Sequence, residues 1–208
     1  VVSEDQAPFI AVALGSGNRS HPLDTAVQDR FYMIKDKNPF SKPASYDTTV
    51  YEGTLLDTTT DLSPDVSNYD GWFLQLTNGT GASVGSYVGE KVLSESVTFD
   101  GAIIFTTFTP VATTSSGSCA PNQGTGSVFA VNVADARPVL DLDTVSSSTS
   151  FTRSDRSLTL VRTGIAPEVT ILFPPIDGVQ PVALVAAEQL DLELNNPPVK
   201  TYWFQQET

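Results

Sequence analysis

One cysteine, one methionine and one histidine are all that this 208-residue chain has of the residue types that build disulfides, soft-metal sites and neutral-pH proton relays. A lone Cys119 excludes an internal disulfide, and Cys119 with His21 cannot make up a Cys/His zinc set. Cys119 also sits in a Ser/Gly/Pro-rich stretch with no histidine nearby, so nothing there activates a thiolate nucleophile. It is expected to pair with a cysteine outside this chain or to stay free. Positive charge is equally scarce. Eleven Lys and Arg stand against 24 Asp and Glu, a formal charge of −13, which repels a nucleic-acid backbone and an anionic membrane surface. Long apolar runs are missing too: Ile10–Leu14 and Val182–Ala187 are strand-sized, far short of the ~18 residues that a membrane-crossing helix needs. No basic segment or cleavage site precedes Pro8-Phe9-Ile10-Ala11-Val12, so the sequence reads as a fragment whose leader would lie upstream.

What the chain does have is 40% hydrophobic residues, enough for a core, set in short runs bounded by Gly, Pro, Asn and Asp. That pattern predicts an all-β fold, and the Thr- and Ser-rich, Lys-poor composition predicts an extracytoplasmic location. The clearest predicted strands are 9–14, 30–35, 72–76, 91–94, 102–109, 127–133 and 138–142, with weaker ones at 157–161, 169–173, 182–187 and 201–204. The Ala-rich segment 181–194 resembles a helix, but Leu190-Asp191-Leu192-Glu193-Leu194 alternates with period two, so it is read as strand. Long polar loops separate these runs, at 16–28, 37–49, 57–70, 77–89, 113–126 and 144–152. Loops on a rigid β scaffold are where binding residues collect.

Three aromatic-bearing runs share one pattern: Arg30-Phe31-Tyr32-Met33-Ile34, Gly71-Trp72-Phe73-Leu74-Gln75-Leu76 and Ser127-Val128-Phe129-Ala130-Val131-Asn132-Val133. The second and third are followed by apolar runs, 89–93 and 136–140, as in the outer hairpin of a propeller blade. Phe31 to Phe73 is 42 residues and Phe73 to Phe129 is 56, against about 40 to 50 for common blade repeats. This ruler predicts a partial β-propeller of about three to four four-stranded antiparallel blades over 1–208, the C-terminal part of a larger ring.

Several strings, in order, resemble the carboxy-terminal propeller of the PilY/PilC family of type IV pilus assembly and tip-adhesin proteins. They are Ala13-Leu14-Gly15-Ser16-Gly17-Asn18-Arg19 with Pro22-Leu23; Asp29 to Asp36; Gly71 to Leu76; Gly89-Glu90-Lys91-Val92-Leu93-Ser94; Ile104 to Pro110; Gly124-Thr125-Gly126; Gly164-Ile165-Ala166-Pro167; and Tyr202-Trp203. The resemblance implies a bacterial envelope protein with a role in pilus biogenesis and twitching motility. It would be placed at the pilus tip with the minor pilins and contribute to host-surface adhesion and virulence. It also implies an EF-hand-like calcium loop in the family's propeller. No Asp-x-Asp-x-Asp-Gly with a downstream acid occurs here, so that loop, and the von Willebrand A-like region of some members, are expected upstream.

Candidate chemistry in the chain is thin. Ser16, His21 and Asp24 are the residue types of a hydrolase triad but crowd into one loop, whereas a triad converges from a scaffold. The competing reading is a Gly-turned interstrand loop whose Asn18, Arg19 and Asp24 bond backbone groups, with Gly15 and Gly17 supplying positive φ. Gly15-Ser16-Gly17 lacks the lysine and helix of a phosphate loop. Asp57, Asp61, Asp65, Asn68 and Asp70 offer the hard oxygens calcium takes, at spacings that miss the EF-hand template, and read as a solvated turn region. Asp141 and Asp143 read as strand-end turn residues. Trp72, Phe73, Phe105, Phe108, Tyr202 and Trp203 read as packing between blades, with an exposed Trp open to a carbohydrate role. Sequons at Asn18-Arg19-Ser20 and Asn78-Gly79-Thr80 matter only in a eukaryotic secretory pathway. No catalytic, cofactor or metal residue is assigned. The expected role is non-catalytic protein binding through loops and exposed edges. The rivals are a quinoprotein-like propeller dehydrogenase, prompted by the tryptophan-docking look of 126–140, and a generic extracytoplasmic repeat domain.

Overall fold

The computed structural model describes residues 9–38, 40, 42, 45, 49–77, 88–111, 123–142, 151–174 and 180–191. Cys119, Asp143, Asn78 and the runs at 144–150 and 201–204 lie outside them. Among the described residues the fold is all-β, with only two three-residue 3-10 turns, Glu52–Thr54 and Ser154–Arg156. Three sheets follow one another along the chain, none closed on itself.

The first sheet comprises β1 (Ile10–Gly15), β2 (Arg30–Asp36), β3 (Leu56–Asp57) and β4 (Gly71–Gln75), in spatial order β1-β2-β4-β3. β1, β2 and β4 are antiparallel, and β3 joins β4 parallel. The second contains β5 (Lys91–Val92), β6 (Val97–Phe99), β7 (Ala102–Thr109), β8 (Thr125–Asn132) and β9 (Ser157–Thr163), in order β5-β7-β8-β9 with β6 also on β7. The third is the antiparallel meander of β10 (Val169–Leu172), β11 (Val182–Val185) and β12 (Glu188–Asp191). The strand reading of 190–194 holds as far as Asp191, and 192–194 lie outside the described residues. The Ala-rich stretch is a hairpin turning at Ala186, whose φ is 56°, rather than a helix.

The sheets stack face to face, and the strand pattern says why. Along β7, Ile103 and Phe105 face the first sheet while Ile104 faces the third. Along β8, Phe129 and Val131 face the first while Val128 and Ala130 face the third. A sheet buried on both faces needs apolar residues at successive positions, hence the run Ala102-Ile103-Ile104-Phe105; beyond it the buried Thr106 and Thr107 donate their hydroxyls to the Pro167 carbonyl and to Glu90. One core joins Phe31, Met33, Trp72, Leu74 and Leu76 to Ile103, Phe105 and Phe129. The other joins Ile104, Val128 and Leu160 to Val169, Ala183, Val185 and Leu190. Phe31 stacks on Phe105 across the first interface at 3.7 Å between ring centroids, and Phe105 on Phe129 at 4.9 Å. Each such side chain withdrawn from water contributes about 1.5–3 kcal/mol before its ordering cost.

The structure corrects the repeat ruler. The strands carrying Phe31 and Phe73 are neighbours in one sheet, with Phe31 opposite Leu74 and Tyr32 opposite Phe73, so their 42-residue interval is not a blade-to-blade distance. They share a pattern because both bury one face against the same core. Likewise Lys91–Val92 does not form a hairpin with 71–76 but opens the second sheet by pairing with β7. The expected strand at 138–142 reduces to a single bridge between Pro138 and Val131, across a turn where Ala136 takes a φ of 59°.

Candidate functional site

Polar contacts at the first interface place the first strand of one sheet beside the first strand of the next. The Val92 N–H donates to the Ser16 carbonyl (2.9 Å), and a Cβ on Gly15 would fall 2.3 Å from Val92 Cβ. Neither Gly15 nor Gly17 has positive φ, contrary to expectation; they are small so that β1 can approach β5. The rest of the loop is the expected interstrand connection in which Asn18, Arg19 and Asp24 bond backbone groups. The Ser20 N–H donates to Asn18 Oδ1, the Ala26 N–H to Asp24 Oδ1, and the Arg19 guanidinium to the Leu93 carbonyl at 2.6 Å. Ser16 Oγ donates to Asp29 Oδ1 (2.7 Å) and accepts from the Arg30 N–H, so its hydroxyl is spent on closing the loop.

A residue that sequence reading passed over holds this loop. Lys91 is buried, and its ammonium donates to the carbonyls of Pro22 (3.0 Å), Asp24 (2.6 Å) and Gly89 (2.6 Å). Burial lowers its proton affinity below that of an ordinary lysine, opposed by the nearby Asp29 and Asp24. Arg156 is the second such link. From the turn before β9 its guanidinium reaches the Thr59 and Asp61 carbonyls at 2.9 and 2.5 Å, and desolvation brings its pKa down to about 10. The third is the Trp72 indole N–H, which donates to the Val133 carbonyl at 3.0 Å. The one sequence signal for the first two is a long cation set among apolar or turn residues in a chain poor in cations.

At the second interface Ser94 Oγ donates to the Ala166 carbonyl and Thr106 Oγ1 to the Pro167 carbonyl. A cleft of about 570 Å³ opens where all three sheets meet, lined by Arg19, Leu93, Glu95, Pro167 and Glu168 among others. A smaller one, about 370 Å³, lies between Leu62, Ser63, Asn132, Arg137, Pro138 and Phe151.

The far face of the first sheet has no sheet against it among the described residues. Ile10, Val12 and Leu14 alternate along β1 at 41%, 47% and 43% exposed, while Ala11 and Ala13 turn to the core. Beside them on this face lie Ile34, Tyr32, Phe73 and Arg30. The Arg30 guanidinium sits 5.7 Å over the Phe73 ring and 3.6 Å from Glu52, which also accepts from the Tyr32 hydroxyl at 3.3 Å. Partial burial, and then Glu52, raise the Tyr32 pKa, so the phenol stays protonated and donating. An apolar strip flanked by Tyr32 and by Arg30, whose guanidinium covers the buried Phe73, has the composition of a protein-contact surface.

The acidic residues of 57–70 do not converge. Asp57 accepts from Thr59 and Gln75, Asp61 from the Ser63 N–H, Asp65 from the Ser67 N–H, and Asp70 from Lys37. Asp57, Asp61 and Asp65 each close a local turn and Asp70 pairs with Lys37, and no three of His, Cys, Asp and Glu form a metal-holding group among the described residues. Trp72, Phe105 and Phe108 are buried as packing residues. No helix among the described residues is long and apolar enough to cross a membrane.

No family model matches the chain, and no curated protein matches it in sequence. In fold it is similar to the crystal structure of the Pseudomonas aeruginosa PilY1 C-terminal domain. The TM-score is 0.60 at 13% identity, covering 86% of this chain and 40% of that one. At that identity the likeness is one of fold. The chain thus spans less than half the length of that domain.

Proposed function

We propose that the three sheets are successive blades of a β-propeller larger than this chain, and that the chain is a non-catalytic docking module of a type IV pilus assembly and tip-adhesin protein. The observation that carries this reading is the PilY1-like fold, which extends over most of the chain and agrees with the ordered strings that resemble the PilY/PilC family. The stacking supports it independently: chain-consecutive antiparallel sheets lie face to face, and the end of β1 lies beside β5, as blades do around an axis. The exposed far face of the first sheet is what a further blade would cover. On this reading the protein works outside the cytoplasm, binding minor pilins and host or abiotic surfaces through loops and edges.

The test is genetic and biochemical. Full-length protein carrying this segment should co-purify with minor pilins, and its deletion should reduce surface pili and twitching. Failure to associate, with pili normal after deletion, overturns the assignment.

A further inference from the structure

β9 is the outer edge of the second sheet, and its backbone is irregular. The register slips between the pairs Thr125↔Thr163 and Ser127↔Thr159, a bulge that gives β9 extra residues. At the bulge, two successive amides, Val161 and Arg162, point away from β8 and both donate to one carboxylate. The Val161 N–H reaches Glu188 Oε2 and the Arg162 N–H reaches Oε1, each at 3.1 Å. Glu188 belongs to the third sheet and sits just past the hairpin turn between β11 and β12. Its carboxylate thus lies on a sheet edge belonging to a different part of the chain.

That edge is a hazard by composition. Ser157-Leu158-Thr159-Leu160-Val161-Arg162-Thr163 has no Pro, Gly or acidic residue, is rich in β-branched and aliphatic side chains, and leaves Val161 88% exposed. Such a segment on an open edge templates pairing with another strand. It also suits itself. Antiparallel pairing centred on Leu160 sets Thr159 against Val161 and Leu158 against Arg162, so the strand's one charge never faces its own copy.

We propose that Glu188 is an edge guard. By occupying the amides that the bulge turns outward, it keeps β9 from adding the β9 of a second copy of this chain. Bulges and edge-placed charges are the devices by which sheets avoid such addition. Here the charge comes from the neighbouring sheet, so loosening the third sheet opens the edge.

The test uses the 208-residue chain and a fluorescent peptide of sequence 157–163. Glu188→Ala should free the Val161 and Arg162 amides to hydrogen exchange and bind the peptide about tenfold or more tighter than the unaltered chain. Adding Arg162→Pro, which removes one of the freed donors, should abolish the gain. Amides that stay as protected as before, or freed amides with no gain in peptide binding, overturn the proposal. Should Glu188→Ala fail to fold by circular dichroism, Glu188→Gln serves instead. It keeps the shape but one carbonyl acceptor in place of two oxygens, and should give an intermediate gain; none overturns the proposal.

Discussion

Replacing Trp72 with Phe separates the two ways this residue joins the first sheet to the second. The side chain is fully buried, and its only polar atom donates to the carbonyl of Val133, itself 6% exposed. Phenylalanine keeps an aromatic ring in the core but leaves that carbonyl short of a donor, which costs about 1–3 kcal/mol. The smaller ring leaves a gap of ~40 Å³, and at ~24 cal/mol per Å³ this adds about 1 kcal/mol. The sum, about 2–4 kcal/mol, is a large part of the ~5–15 kcal/mol by which a domain is stable. Phe31→Leu is the comparator. It loses the 3.7 Å stack on Phe105 but no hydrogen bond, and should cost about 1–2 kcal/mol. Urea unfolding followed by far-UV circular dichroism measures both, since Trp72 is one of only two tryptophans and its loss blunts fluorescence. The midpoint should fall and the slope should not change. A Trp72→Phe cost no larger than that of Phe31→Leu would refute the idea that the indole N–H ties the sheets.

Lys91→Met keeps length and removes the donors, stranding three carbonyls. It should cost about 2–4 kcal/mol and speed tryptic cleavage after Arg19 while leaving cleavage after Arg162 unchanged, read by mass spectrometry. Asp70 titrates below its ordinary 3.8, first because the Lys37 ammonium 2.6 Å away donates to it. The unfolded chain then takes up that proton more readily. Its contribution is therefore present above about pH 3.8 and lost as pH falls through the lowered folded value. The pair is largely exposed, so the effect is under ~1 kcal/mol; Asp70→Asn should flatten the acid limb of the urea midpoint between about pH 5 and pH 3.

How legible the fold was depends on which surface each strand buries. β7 could be read to the residue, because burial on both faces makes 102–109 one run of aliphatic, aromatic and β-branched residues between turn residues. β2 and β4 are legible as strands but not as neighbours: both set aromatic and aliphatic residues against one core, and such likeness imitates a repeat. β3 and β6, of two and three residues, are too short for periodicity to register. The ties between sheets were out of reach. Lys91 to Pro22, Arg156 to Thr59 and Trp72 to Val133 join residues 69, 97 and 61 positions apart, and sequence offers no period at such distances. The turn roles of Asn18 and Asp24 were legible because such bonds are local.

The same stack offers the isolated chain two routes to self-association, and their physics differs enough to separate them. The far face of the first sheet is apolar, so association through it should weaken on cooling and strengthen with sulfate. Val12→Lys with Leu14→Lys, on an edge strand where both side chains are already near half exposed, should cost no more than ~1 kcal/mol of stability. It should return the chain toward a monomer by light scattering. The β9 edge would contribute only after Glu188 is altered, and through main-chain bonds that the paired lysines leave intact. If the double lysine variant still self-associates as before while Glu188 is in place, the exposed strip on β1 is not a contact surface. The reading of the first sheet as an uncovered blade then loses its support from this face.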